Sequence, residues 1–186
     1  MMLAAYLKAD TPMGAYSHVT TSPDGRCYFL MIAPQTGKEA NGVAYQVARD
    51  GSNEELWRTD GWYSSMVFLS EEGSYLVRLN PSVLGHKPSP NDLAVAFYKN
   101  GSLLKKYSTA DLVKDGKKVV ATVSYYRWMA ADVEKENQLV NGGKAPGSDL
   151  EPKLLWWEKT FRLKTCDNIS YVFDITTGDI RSSSGD

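Results

Sequence analysis

Cysteine and histidine are scarce in this 186-residue chain, with two of each, and neither sign of charge prevails. Lys and Arg number 21 against 22 Asp and Glu, a formal net charge of -1. Two cysteines cannot build a disulfide framework, and a Cys/His zinc cage would need all four of these residues in one place. Balanced charge leaves no basic footprint for nucleic acid. No hydrophobic run approaches the roughly 20 residues of a spanning helix, so no membrane span is expected. The motifs that usually announce catalysis are missing as well. The chain has no Gly-x-Ser-x-Gly elbow and no dinucleotide fingerprint, and Gly37-Lys38, Gly116-Lys117 and Gly143-Lys144 lack the upstream glycine of a phosphate loop. Neither His18 nor His86 has a cysteine or second histidine at ligand spacing, so no metal and no cofactor is expected.

What is present is apolar and aromatic material: 42 % hydrophobic residues, with 11 Tyr and 5 Trp. That suffices for the core of one domain over 1–186. The apolar start, Met1-Met-Leu-Ala-Ala-Tyr-Leu7, reads as a first strand or an ordered tail; compartment stays unassigned. Alternating runs bounded by turn formers follow at short spacing: Arg26–Ile32, Val43–Val47, Glu54–Trp57, Tyr75–Leu79, Leu93–Tyr98 and Leu103–Tyr107, then Lys118–Tyr126, Phe161–Lys164 and Ile169–Phe173. Asp50-Gly51 and Asn100-Gly101 suit the positive φ angles of tight hairpin turns. Helical signals are few. Ser108 with Asp111 three positions on is a capping pair, and Met129–Gln138 is a second short candidate. Residues 141–152 are loop by composition. The expected fold is therefore all-β, an antiparallel meander of hairpins in about three sheets with one or two short helices. Its architecture is either a propeller-like open array or a β-sandwich.

Self-similarity sharpens this expectation. Ser22-Pro-Asp-Gly25 matches Ser70-Glu-Glu-Gly73 at an offset of 48, and Val43–Ser52 matches Leu93–Ser102 at an offset of 50. Repeat-like units at about 14–61, 62–111 and 118–181 follow, the third carrying a loop insertion at about 129–152. Ser-Pro-Asp-Gly before a hydrophobic strand resembles the inner hairpin of propeller-type repeats of the WD-repeat, TolB-like and YVTN kinds. Tyr171-Val-Phe-Asp-Ile-Thr-Thr-Gly-Asp-Ile180 is similar to their outer hairpin. The resemblance covers about 16–110 and 161–180 and implies a scaffold, not a site. The Gly-His and Trp-Asp pairs of WD-repeats are absent, and two to three copies fall short of the four or so blades of a closed ring.

Candidate binding residues are aromatic. Trp62, Tyr126 and Trp128 stand at expected strand ends, Trp156 and Trp157 follow the loop and precede Glu158, and His86 lies in a Pro-rich loop. Exposed Trp and Tyr bury much area at small entropic cost, which suits protein, small-molecule or glycan ligands. Adjacent aromatics on a strand face opposite ways, so one of each pair is expected outside. Three functions are in view: a binding module without catalytic chemistry; a hydrolase-like enzyme acting on saccharides through turn carboxylates; and a structural subunit that forms a homodimer through its sheet edges.

Overall fold

The computed structural model describes residues 14–131 and 151–185. The apolar N-terminal stretch and most of the 129–152 insertion lie outside the described residues. Strands make up most of what is described, in antiparallel sheets with no closed barrel. The first sheet holds β1 (His18–Thr21), β2 (Cys27–Ile32), β3 (Asn41–Val47) and β4 (Asn53–Asp60) in that order. β5 (Met66–Leu69) and β6 (Tyr75–Leu79) open the second; β7 (Ser82–Leu84) leaves it, and β8 (Leu93–Lys99) and β9 (Ser102–Ser108) complete it. A helical turn, α1 (Thr109–Leu112), follows, capped reciprocally by Ser108 and Asp111 as their spacing predicts.

β10 (Val120–Ala121) and β11 (Tyr125–Arg127) join β7 in a small three-stranded sheet. β12 (Lys153–Leu155), β13 (Thr160–Lys164), β14 (Ser170–Asp174) and β15 (Ile180–Ser184) form the third four-stranded meander. Two expectations need correction. The run Lys118–Tyr126 is not one strand, because Thr122 and Tyr125 exchange backbone and hydroxyl hydrogen bonds that fold it into a hairpin. The third sheet also begins at Lys153 rather than near 118, since β10 and β11 pair with β7 instead.

The three meanders repeat one another in detail. In the first two, a serine closes the inner turn: Ser22 Oγ accepts the Cys27 N–H at 3.0 Å, and Ser70 Oγ the Tyr75 N–H at 3.0 Å. In both, the glycine N–H returns to that serine's carbonyl oxygen at 3.0 Å. The matched motif is thus a hydrogen-bonding requirement. Each third-to-fourth strand pairing also carries a bulge, passing over Leu56, Leu104 or Arg181. Strand register amends the second offset. Phe29 faces Ala44 and Val77 faces Phe97, so second strands repeat at 48 residues and third strands at 53. The β6–β8 connection is longer and the β8–β9 turn shorter than their counterparts, which brings the fourth strands back into step: Trp57 corresponds to Lys105.

Two cores hold the sheets together. Cys27, Phe29, Met31, Ala44 and Trp57 of the first sheet meet Leu69, Leu76, Ala96 and Tyr98 of the second. Val77, Leu79, Val95 and Phe97, pointing the other way from the same second sheet, meet Phe161, Leu163, Tyr171 and Phe173 of the third. Burial on both faces explains the unbroken apolar run Leu93–Tyr98. The first strands converge, with Thr20 and Thr21, Phe68 and Leu69, and Lys153 and Leu154 around one hollow of about 370 Å³. The cysteines are unpaired, Cys27 being buried in the first core.

The Ser22 turn has a pH signature. Burial pushes the Asp24 carboxyl upward, but hydrogen bonds from the Ser22 hydroxyl and from Arg26 outweigh it and hold the group down at about 2. A depressed carboxyl adds stability that is present above its ordinary value of 3.8 and is lost as pH falls through about 2. Asp24→Asn is therefore expected to melt a few degrees below the natural chain at neutral pH. Thermal melts should show that deficit vanishing in strong acid; a pH-independent deficit would contradict the linkage.

Candidate functional site

The six aromatic and histidine candidates are not brought together. Tyr126 and Trp128 are fully buried, each on the core side of its segment. Tyr126 Oη donates to Asp92 Oδ2 at 2.9 Å and lies 2.7 Å from Thr109 Oγ1, and burial first of all pushes its hydroxyl up to about 12. Trp128 Nε1 donates to the Asn80 carbonyl at 2.7 Å. Neither side chain is open to an external ligand. Trp62 is half-buried at the first core, stacked on Phe29 and Tyr98 with the Arg78 guanidinium 4.5 Å above its ring. His86 lies against the Val123 carbonyl at 3.2 Å. Trp156 and Trp157 are both exposed, at 37 % and 62 %, because they occupy a 3-10 turn and not a strand, so alternation does not apply. They meet edge to face, 5.8 Å between centroids.

A different group of residues does converge. A cleft of about 570 Å³ opens between the segment before β1, the β4–β5 connection and the small sheet. Tyr16, Tyr63 and Tyr125 supply its aromatic walls, and Pro81 and Leu84 add apolar surface. Asn80, Ser64, Ser65, Ser82 and Arg127 are its polar lining. Strand parity explains the contribution of the small sheet. Tyr125 pairs with Leu84 and Arg127 with Ser82 on one face, while Tyr126 and Val83 turn to the core on the other. Leu84 is 75 % exposed at the cleft's rim.

The walls are fastened to the scaffold. Tyr63 Oη donates to the Tyr16 carbonyl at 3.0 Å and accepts the Tyr16 N–H at 3.2 Å, pinning the segment before β1 to the β4–β5 connection. Ser64 Oγ donates to the Leu79 carbonyl at 2.5 Å and accepts the Met66 N–H at 3.0 Å. Its proton is spent on structure. Arg78 donates to the Tyr63 carbonyl at 3.3 Å from behind. The cleft is thereby formed before any ligand arrives, as binding sites usually are.

Chemistry is a separate question, and the turn carboxylates bear on it. The Ser52 hydroxyl and amide hold Asp50 below its ordinary value, and the Ser108 amide and hydroxyl do the same for Asp111. Burial works upward on Asp167 and Asp174, but their hydrogen bonds win. Asp167 accepts from the Lys114 and Asp115 amides and from Thr165; Asp174 accepts from Thr176 and Arg181. Asp50, Asp111 and Asp174 are tied by hydrogen bonds within their own turns, Asp167 reaches across to the turn at Lys114 and Asp115, and none is raised toward the range of a general acid. Burial, reinforced by Asp167, pushes the Cys166 thiol up to about 12, far from a thiolate nucleophile. Among the described residues, no three His, Cys, Asp or Glu side chains gather as metal ligands, and no helix is long and apolar enough to cross a membrane. No protein-family model matches the chain, and no curated protein matches its sequence.

Proposed function

We propose that this chain is a binding module without catalytic chemistry, built as a propeller-like open array, and that it takes a saccharide in the Tyr16/Tyr63/Tyr125 cleft. The observation that carries the reading is the composition of that lining: three tyrosines beside serines and an asparagine, with no Asp, Glu, His or Cys among the described residues. Tyrosine rings offer flat apolar faces with a polar tip, and short hydroxyl and amide side chains match the alternating C–H and O–H surfaces of a sugar. Among the described residues, Arg127 is the formally charged residue of the lining. Hydrolysis would need two carboxyls facing one another across the ligand, and among the described residues this lining holds none.

The test is titration of the chain with neutral and uronic-acid oligosaccharides, followed by calorimetry or NMR. Tyr125→Ala is expected to weaken binding about tenfold or more, in line with the loss of an aromatic anchor. Trp157→Ala, outside the cleft, should leave affinity unchanged. Binding of peptides but not sugars would replace the ligand class. Binding that survives Tyr125→Ala but not Trp157→Ala would overturn the site.

A further inference from the structure

On the face that the second sheet turns toward the first core, charge appears beside the apolar residues. Register sets Arg78, Ala96 and Lys106 in one row across β6, β8 and β9, on the same side as Leu76 and Tyr98. Neighbouring strands lie about 4.8 Å apart, so the backbones of the two cations stand about 10 Å apart. The alanine between them is too short to fill that space. A cavity of about 370 Å³ opens over the row. Tyr98 with Leu103 forms the next row on one side and Leu93 with Ser108 a row on the other; Pro90, Asn91 and Asp111 also line the cavity.

Neither cation is paired with a carboxylate among the described residues. The Arg78 guanidinium stands 4.5 Å over the Trp62 ring and donates from one nitrogen to the Tyr63 carbonyl at 3.3 Å. Its Nε is buried with no hydrogen-bond partner among the described residues, so its donors are not all used. Lys106 is exposed, and among the described residues no hydrogen bond or ion pair occupies it. Asp111 is the carboxylate of the lining among the described residues, and it is spent on α1. It accepts the Ser108 amide at 2.8 Å and the Ser108 hydroxyl at 2.7 Å. Two cations therefore face the cavity against one carboxylate that is already engaged.

We infer that this cavity binds a small organic anion, its carboxylate or phosphate group between Arg78 and Lys106 and its apolar body against Tyr98 and Leu93. Arg78, held by the Trp62 ring and the Tyr63 carbonyl, supplies a fixed planar donor. Lys106 supplies a point charge on a flexible stem that can close on the bound group. Apolar surface beside the two cations keeps water off the pairing, where charge-assisted hydrogen bonds are strongest. The volume lies at the small end of ligand pockets, which suits a molecule of about one ring and not a polymer. The inference is independent of the saccharide reading, because the tyrosine cleft and this cavity share no lining residue.

Titration of the full chain with benzoate, phenyl phosphate, inorganic phosphate and uncharged benzamide, followed by NMR, tests it. The expected result is saturable binding of benzoate or phenyl phosphate with a Kd of about 1 mM or below, and none of benzamide at about 10 mM. The tighter of the two anions identifies the head group. Lys106→Gln should weaken that binding about tenfold, the loss of one charge-assisted contact. Since Lys106 is exposed and unpaired among the described residues, the melting temperature should not move. Lys38→Gln removes the same charge from the β2–β3 connection and should leave binding unchanged. The inference is overturned if neither organic anion binds, or if benzamide binds as tightly as benzoate. It is overturned equally if inorganic phosphate matches phenyl phosphate, or if Lys106→Gln binds as the natural chain does.

Discussion

Trp128→Ala is expected to destabilise the fold by about 4 kcal/mol, the size of effect found for large aromatics removed from closed cores. The side chain is fully buried beside Tyr126, Val83 and the third sheet. Its indole N–H also answers the Asn80 carbonyl at the point where the chain leaves the second sheet for β7. Truncation opens a cavity and strands that carbonyl at once, and the second loss adds to the first. For a chain of this length the melting temperature should fall by roughly 8–16 °C. Trp157→Ala removes as many atoms from an exposed position and should shift it by no more than a degree or two. Comparable losses in the two variants would mean that Trp128 is not at the centre of the second core.

The second large effect separates two turns that look alike on paper. Asp50-Gly51-Ser52 and Asn100-Gly101-Ser102 both place glycine at positive φ, +83° and +78°. Alanine at either site meets the same backbone penalty of about 1 kcal/mol. Gly101→Ala must in addition drive a methyl group into the Arg58 carbonyl and the Trp57 ring, neither of which is a flexible end. Overpacking of that sort adds about 1–3 kcal/mol, so Gly101→Ala should cost about 3 kcal/mol in urea unfolding against about 1 for Gly51→Ala. Equal costs would remove the argument that the second sheet is seated on the first through this turn.

How much of this was legible beforehand depends on what each segment faces. Leu93–Tyr98 reads as a strand because both its faces are buried, and Cys27–Ile32 because one is. β15 escapes notice since Arg181-Ser-Ser-Ser184 is exposed on both faces and has no apolar period to read. β7 is three residues long inside a Pro-rich stretch, and its pairing partners lie some forty residues away in sequence, a relation no local pattern reports. The candidate site was half legible. The segment Tyr125-Tyr126-Arg127-Trp128 contained its own answer: the charge of Arg127 marks the outward parity, which Tyr125 shares, and the opposite parity carries Tyr126 and Trp128 into the core. Tyr16 and Tyr63 could not have been found this way, because the hydrogen bonds joining them span 47 positions of sequence and depend on how the first and second sheets meet.

The pairing of β7 with β11 also divides local from distant contacts. Strands β1 to β4 pair with their chain neighbours, and β5, β6, β8 and β9 do so once β7 is looped out, so the first two sheets need only short-range contacts. β7 instead takes its strand partner from Tyr125–Arg127, some forty residues on. The second sheet is therefore covered on one face by residues that precede it in the chain and on the other by residues that follow it, where Val77, Leu79, Val95 and Phe97 meet Leu112, Val113, Tyr126 and Trp128 as well as the third sheet. By fastening β7 to β11, the small sheet holds Tyr126 and Trp128 in that core.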